Sequence, residues 1–438
     1  MINSNEVDCN KKRKIIVFLA VVFIIELFIS FFIFPNIYFK EVKNPSVLEG
    51  DAGFYDNVSK SLVNGEGYSS NKIPTYAYQP GYPIFISFLY KIFGFNYKPV
   101  ILIQYIMLLF SFLIVIYLAN IIYKNNIFTL FVAICFILNY NILKLVGNYY
   151  SENLAILLVT FIVYLLFIVK NKNFIIVYII LGLLFGFLTL TRPIFEIFPF
   201  FVLIFSLIFT KRINKLFRKA FIFFIMFLII IIPYIVRNWI IFDLPQINAM
   251  SGMLFYEATN VNHDGQNLEW EITKKELKLT KYGDINELSR GEVTKVYRLL
   301  MREGFKNILR NPLGFIILYF KNELRLLGWA DDFPDSLKTL KSHHFYFLIH
   351  IIIFILFIIG FIKYLIIKSN YENNNLFFIV SYSLIIYYFI LSPLFTGSVR
   401  FGAVIMPLIY LLSPFGLSLI LPNSFLVSFN KKINGNII

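Results

Sequence analysis

Asp51 is the residue whose surroundings point most directly to chemistry. It lies in Leu48-Glu49-Gly50-Asp51-Ala52-Gly53-Phe54-Tyr55, just past the first long apolar run, where a membrane chain re-enters water. Two nearby carboxylates, followed by Gly65-Glu66-Gly67-Tyr68 and Tyr78-Gln79-Pro80-Gly81-Tyr82-Pro83, pack poorly but suit a polar site at a membrane surface. Further charges fall at the ends of apolar runs. They are Lys144, Glu152 in Tyr150-Ser151-Glu152-Asn153, Arg192 and Glu196 in Thr191-Arg192-Pro193-Ile194-Phe195-Glu196, Arg237 in Arg237-Asn238-Trp239, and Arg400 in Ser398-Val399-Arg400-Phe401. Charges at membrane depth are expensive, so their clustering implies a site. A carboxylate can take a proton from a hydroxyl or amine, and a guanidinium fork matches phosphate oxygens. Asp51 is therefore the candidate base, with Glu49 and Glu152 supporting it or orienting an acceptor. Arg192, Arg237 and Arg400 are the candidates for a donor phosphate. That set fits transfer of a group from a lipid-linked phosphate. Tyr55, Tyr78 and Tyr82 suit stacking on sugar rings or contact with a polyprenyl chain.

The elements that must hold these residues follow from composition. The chain has 438 residues, 58% hydrophobic and 19% aromatic. Its mean hydropathy of +0.73 is far too apolar for water-soluble domains. A helix crosses roughly 30 Å of hydrocarbon with about 20 apolar residues. Ten runs qualify: 15–34, 98–122, 127–145, 153–169, 174–191, 194–210, 219–236, 346–367, 376–395 and 402–421. None alternates as a barrel strand would, and lipid leaves only helices as the other spanning form. The predicted fold class is an all-α polytopic membrane protein of about ten transmembrane helices with two extracytoplasmic loop modules.

The formal charge of +15 is not a nucleic-acid signal, because of where it sits. Lys11, Lys12, Arg13 and Lys14 precede the first span; Lys211, Arg212, Lys215, Arg218 and Lys219 fill one loop. Lys170 and Lys172 lie in another loop, Lys368 follows the eighth span, and Lys431 and Lys432 end the chain. With ten spans all of these face one side, which the positive-inside rule makes cytoplasmic. Both termini are then cytoplasmic, in a multi-pass plasma-membrane protein whose site faces the extracytoplasmic side. The division reads as 1–34 tail and first helix, 35–99 first outer loop, 98–236 helices two to seven, 237–345 large outer loop, 346–421 helices eight to ten, and 422–438 tail. Within the outer loops, Asp51 to Asn64 reads as a short amphipathic helix, while 82–95 and 315–329 read as surface-lying segments. Cys9 and Cys135 supply no disulfide framework or thiolate metal site.

Gly50-Asp51 with Tyr55, then Gly65-x-Gly67-Tyr68, then Pro80-Gly81-Tyr82-Pro83 resemble the start of GT-C glycosyltransferases. The closer likeness is to the branch of protein O-mannosyltransferases and lipid A aminoarabinose transferases. Ser151-Glu152, Thr191-Arg192-Pro193, Arg237-Asn238 and Arg400-Phe401 ahead of Pro407 agree with it. The resemblance covers residues 1 to about 420, with the first-loop cluster its specific part. It implies inverting transfer of a sugar from a polyprenyl-phosphate donor to an extracytoplasmic lipid, glycan or protein, with the first-loop acid at Asp51 as base. Glu49 completes an acid-x-acid pattern of the kind the superfamily uses. The chain departs from the branch in its short tail, without the large C-terminal soluble domain of some members. It also shows no obvious metal cluster, and no cofactor is expected. The alternative from another class is a flippase or transporter of polyprenyl-linked sugar, which would call for broken helices with midplane polar groups. Glu26 in the first span, the pair His343 and His344, and the cluster Asp331, Asp332 and Asp335 read as packing, diverging and solvated residues respectively.

Overall fold

The structure, a computed structural model, describes residues 17–25, 27–28, 50–168, 175–201, 213–248, 250–263, 270–282, 288–328, 342–367, 375–395 and 399–420. Glu26, Glu49, Asp331, Asp332 and Asp335 lie outside that set, as do most of the basic residues at the two termini. Among the described residues the regular elements are helical, apart from a two-stranded hairpin of β1 (Ser69–Ser70) and β2 (Ile73–Pro74), paired antiparallel.

Five described helices are long and apolar enough to cross a bilayer: Tyr97–Tyr123, Ser151–Ile168, Arg218–Phe242, Phe347–Ile366 and Phe377–Leu394. Shorter apolar helices accompany them, at Gly81–Phe93, Asn126–Ile137, Ile175–Thr191 and Met406–Leu419. In chain order the helices are α1 (Gly50–Val63), α2 (Gly81–Phe93), α3 (Tyr97–Tyr123), α4 (Asn126–Ile137), α5 (Tyr140–Val146), α6 (Ser151–Ile168) and α7 (Ile175–Thr191). There follow α8 (Ile213–Phe242), α9 (Met250–Thr259), α10 (Trp270–Glu276), α11 (Glu292–Arg310), α12 (Pro312–Leu326), α13 (Ser342–Ile367) and α14 (Asn375–Leu391). The chain closes with α15 (Val399–Gly402), α16 (Met406–Leu412) and α17 (Pro414–Ile420).

Two expected spans are broken rather than continuous. The run 127–145 divides at Asn139, whose side chain accepts the Ile142 N–H at 3.1 Å and so starts α5 afresh. Its amide also donates to the Tyr410 hydroxyl at 2.5 Å, which fixes the break against a distant segment. The run 402–421 divides into α15, α16 and α17. Pro407 and Pro414 start the later pieces, where a missing N–H costs nothing. Of the expected span 194–210, the structure describes a 3-10 turn at Pro193–Phe195 and helical residues 198–201. The surface-lying expectations fall on α2 and α12, and the first-loop amphipathic helix falls on α1.

One hydrophobic core runs through the bundle, from Phe23 through Phe112 and Val159 to Tyr382 and Leu411. A separate core, built on Met253, Tyr256, Val293, Val296 and Leu300, holds α9, α10 and α11 together, and Tyr76 and Phe242 join it to the bundle. The broadest helix pairing is α7 on α8. It rests on Gly182 and Gly186, where a Cβ would stand 2.5 Å from the Phe223 carbonyl oxygen and 2.6 Å from the Ile230 Cβ. Small residues four apart let backbones touch where lipid supplies no hydrophobic drive. Gly182→Val is expected to lower the unfolding temperature in detergent, by the equivalent of about 1–3 kcal/mol for an overpacked contact. Ile180→Val on the exposed face of the same helix should leave it nearly unchanged.

Candidate active site

The site gathers side chains from five segments at one end of the bundle. Asp51 stands in the first turn of α1, where the amide ends favour a carboxylate. Glu152 stands in the first turn of α6 for the same reason. Arg192 follows α7 and precedes Pro193, which excludes it from the helical region. Its φ of −142° and ψ of 104° end α7 and turn the guanidinium aside. Arg400 comes from the short α15, and Tyr78 from the loop between β2 and α2.

These groups form one chain of charge. Arg400 Nη2 donates to Asp51 Oδ2 at 2.5 Å, and Arg400 Nε donates to Glu152 Oε1 at 2.7 Å. The same Glu152 oxygen accepts from Arg192 Nη1 at 3.0 Å, and Arg192 also reaches Ser151 Oγ at 3.4 Å. The Tyr78 hydroxyl donates to Asp51 Oδ1 at 2.7 Å. Two carboxylates thus face two guanidinium groups. Aromatic faces shield them: Arg192 lies 4.1 Å from the Phe401 ring centroid, and Arg400 lies 4.5 Å from that of Tyr150. Accessibility falls steeply along the chain, from side-chain exposures of 21% at Asp51 and 24% at Arg400 to 1% at Glu152. Asp51 and Arg400 form the end that meets the outside.

Burial alone would raise the Asp51 carboxyl, but Arg400, the Tyr78 hydroxyl and the more distant Arg192 outweigh it and hold it below the ordinary aspartate value. Burial and the neighbouring carboxylate push the Tyr78 hydroxyl well up, so it stays protonated and donating.

The sequence candidates divide four ways. Asp51, Glu152, Arg192 and Arg400 come together directly. Arg237 stands apart from them: Nη1 donates to the Thr75 carbonyl and Asn238 Oδ1, and Nη2 to the Tyr68 carbonyl, each at 2.7 Å. It opens on a groove of about 560 Å³ lined by Glu66, Tyr68, Pro80, Ile84, Leu190 and Ile230, with Pro233 and Ile241 on the α8 side. The loop from Tyr68 to Tyr78 joins the two parts. Its carbonyls hold Arg237, while its last residue holds Asp51, and the Tyr68 hydroxyl donates to the Tyr78 carbonyl at 2.8 Å. Tyr55 and Tyr82 are enclosed, 3% and 1% exposed, and pack edge to face behind the carboxylate. Glu49 lies outside the described residues.

One contributor escaped the sequence reading. Gln104, fully buried in α3, accepts from the Tyr82 hydroxyl at 2.5 Å and donates at 2.9 Å to the carbonyls of both Val146 and Asn148. Its signal was a lone amide inside an apolar span. Among the described residues, no three His, Cys, Asp or Glu side chains stand together as a metal site would require.

Residues 77–239 match the dolichyl-phosphate-mannose-protein mannosyltransferase family. No curated protein matches the sequence. Among solved structures, the archaeal oligosaccharyltransferase AglB from Archaeoglobus fulgidus, in complex with an inhibitory peptide and a dolichol-phosphate, is similar with a TM-score of 0.54 at 12% identity. The match covers 97% of this chain and 52% of that one, so the chain spans about half of AglB's length. ArnT from Cupriavidus metallidurans, bound to undecaprenyl phosphate, aligns with a TM-score of 0.39 at 13% identity, over 92% of this chain and 77% of that one. The overall fold is similar to that of AglB.

The buried Glu152 carboxylate bridges two guanidinium groups at once. Glu152→Gln is expected to destabilise the protein by about 3–5 kcal/mol, the cost of breaking a buried pair from one side. Thermal unfolding in detergent reads this, and Glu276→Gln, at a more exposed carboxylate, should cost much less.

Proposed function

We propose that the chain is an integral membrane glycosyltransferase that moves a sugar from a polyprenyl-phosphate donor to an extracytoplasmic acceptor. The observation that carries this reading is the adjacency of two unlike parts. A partly exposed carboxylate sits on a guanidinium, and beside it an apolar groove ends at a second guanidinium whose hydrogen-bond partners are all neutral. A long isoprenoid with a phosphate at one end has that polarity. Its chain would lie along Leu190, Ile230 and Pro233, with its phosphate toward Arg237. The dolichol-phosphate held by the similar AglB fold supports a lipid of this class. A transmembrane bundle of about ten spans with cytoplasmic termini, in the plasma membrane, sets the site on the outer face.

The reaction would run as follows. An acceptor hydroxyl or amine attacks the anomeric carbon, and the bond from that carbon to the phosphate oxygen breaks with inversion. The proton passes to Asp51, and polyprenyl phosphate departs with its charge held by Arg237 and Arg400. Arg400 has a double role in this reading. In the resting state it neutralises Asp51 and keeps it a weak base. A donor phosphate competes for the same guanidinium and, in drawing it away, leaves Asp51 more basic when a proton must be taken. Arg192 and Glu152 anchor Arg400 within reach of both partners. Tyr78 orients the carboxylate, while Tyr55 and Tyr82 hold it from behind. Glu49 is a second carboxylate for the acceptor side.

Asp51→Asn is expected to lower transfer by about 10²–10⁴-fold. Mass spectrometry of envelope glycolipids and glycans, from a deletion strain carrying either version, reads the product. Full restoration by Asp51→Asn would sink the assignment of the base. Arg237→Gln should raise the donor KM by about tenfold or more, as expected for a charge-assisted phosphate contact. In Arg400→Gln the carboxyl loses its strongest stabiliser, so the pKa of Asp51 rises. The base must be ionised, so activity then fails at a higher pH on the acid side than in the unmodified enzyme. An unmoved acid limb in pH profiles of residual activity would contradict the coupling.

A further inference from the structure

α11 and α12 meet at a capped elbow. The Asn311 side chain accepts the Gly314 N–H at 2.9 Å, and Pro312 takes the first helical position. The outer surface of that elbow is apolar to an extent no aqueous surface explains. Phe305, Leu309, Leu313, Ile317 and Phe320 are 56%, 80%, 74%, 70% and 61% exposed. Along α12 these positions, with Ile316 and Leu324, recur at three and four residues and so share one face. The other face is occupied, with Leu318, Asn322, Arg325 and Leu326 buried. Contiguous exposed apolar patches of this kind mark something that covers them.

Depth identifies the cover. The Tyr319 hydroxyl donates to the Ile390 carbonyl at 2.9 Å, and the Asn322 amide donates to the Pro393 carbonyl at 3.2 Å. Both acceptors lie in the last turns of the Phe377–Leu394 span. Eighteen helical residues rise roughly 27 Å, close to the hydrocarbon thickness of about 30 Å. The end of that span therefore lies at the headgroup boundary, and a helix pinned to it lies along the boundary. Charge agrees. Arg302, Lys306 and Arg310 recur every four residues on α11, with side chains 64%, 42% and 67% exposed. Glu303 approaches all three, at 3.5, 2.7 and 3.9 Å, so three cations share one carboxylate. Exposed pairs of this kind are weak, and the row stays available to another anion.

We propose that the α11–α12 elbow docks on anionic phospholipid, with the apolar row among the acyl chains and Arg302, Lys306 and Arg310 on headgroup phosphates. This goes beyond glycosyl transfer and does not rest on it. It also bears on the site. A Cβ at Gly402 would collide with the Leu326 carbonyl, so the end of α12 touches the backbone of the helix that carries Arg400. The depth at which lipid holds α12 is thereby passed to Arg400.

The test uses the full chain in lipid nanodiscs. Ile317→Cys, made with Cys9→Ser and Cys135→Ser, carries a nitroxide whose collisions with oxygen and with a water-soluble nickel chelate are compared. Lipid burial gives collisions dominated by oxygen. Dominance by nickel overturns the proposal, and so does exclusion of both probes, which would place a protein partner or a second copy on the face. Native mass spectrometry from equimolar phosphatidylglycerol and phosphatidylcholine reads the headgroups. Preferential retention of phosphatidylglycerol is expected, falling by about fivefold for each cation removed in Arg302→Gln, Lys306→Gln and Arg310→Gln. Equal retention by the unmodified protein, or an unchanged preference in the triple variant, overturns the headgroup assignment.

Discussion

The whole site hangs on one oxygen. Glu152 Oε1 accepts from Arg192 and Arg400 together, in a side chain that is almost wholly enclosed. An enclosed carboxylate without cations would be prohibitive, and either cation without the carboxylate would be nearly so. The pairings are therefore mutually obligatory, and they tie the end of α7 and the short α15 to the start of α6. Asp51 then takes what remains of Arg400. Because α15 is four residues long, its own hydrogen bonds could not hold a guanidinium in place. Its position comes from the ion pairs on one side and from the close backbone contact at Gly402 on the other.

The proposed reaction asks this site to exchange partners. Two carboxylates and two guanidiniums leave no surplus positive charge for a phosphate within the chain of charge. Arg237 supplies one nearby, held by the carbonyls of Tyr68 and Thr75. Those carbonyls belong to the loop that also presents Tyr78 to Asp51, so the two halves share a support. Gly65 and Gly67, at φ of +80° and +73°, allow the chain to turn tightly enough to begin that loop. In the proposed reading, a phosphate seated at Arg237 would lie against the loop that also presents Tyr78 to Asp51.

The legible part of the sequence was the part governed by cost. Long apolar runs announce helices because lipid tolerates little else, and 98–122 and 153–169 recur within a few residues as α3 and α6. Asp51, Glu152, Arg192 and Arg400 could be grouped because charges at comparable depth have nowhere cheap to go but to one another. Which carboxylate meets which guanidinium was not legible, since Asp51 and Arg400 are 349 residues apart. The breaks at Asn139 and Pro407 were hidden for a related reason. Hydropathy is blind to an amide that starts a new helix while bonding Tyr410, 271 residues away. Among the tyrosines read as ligand contacts, Tyr55 and Tyr82 are enclosed, and an enclosed hydroxyl must find a polar partner, as Tyr82 finds Gln104.

The separation of Arg237 from the other arginines is informative in itself. A shared depth places cations on one level of the bundle but says nothing of their azimuth. Here the two directions are used differently: the α6, α7 and α15 side is packed with compensating charge, whereas the α8 side is open and apolar. A substrate carrying both an anion and a long hydrocarbon can satisfy the second side only by lying along α8, and it can reach the first only at its polar end. Two residues of the charge network are exposed enough to meet that end, Arg400 at 24% and Asp51 at 21% of the side chain, and of these the guanidinium is the one that suits an anion. The proposed reaction is set at the junction for that reason, since there the groove for an apolar tail approaches the partly exposed Asp51 carboxylate.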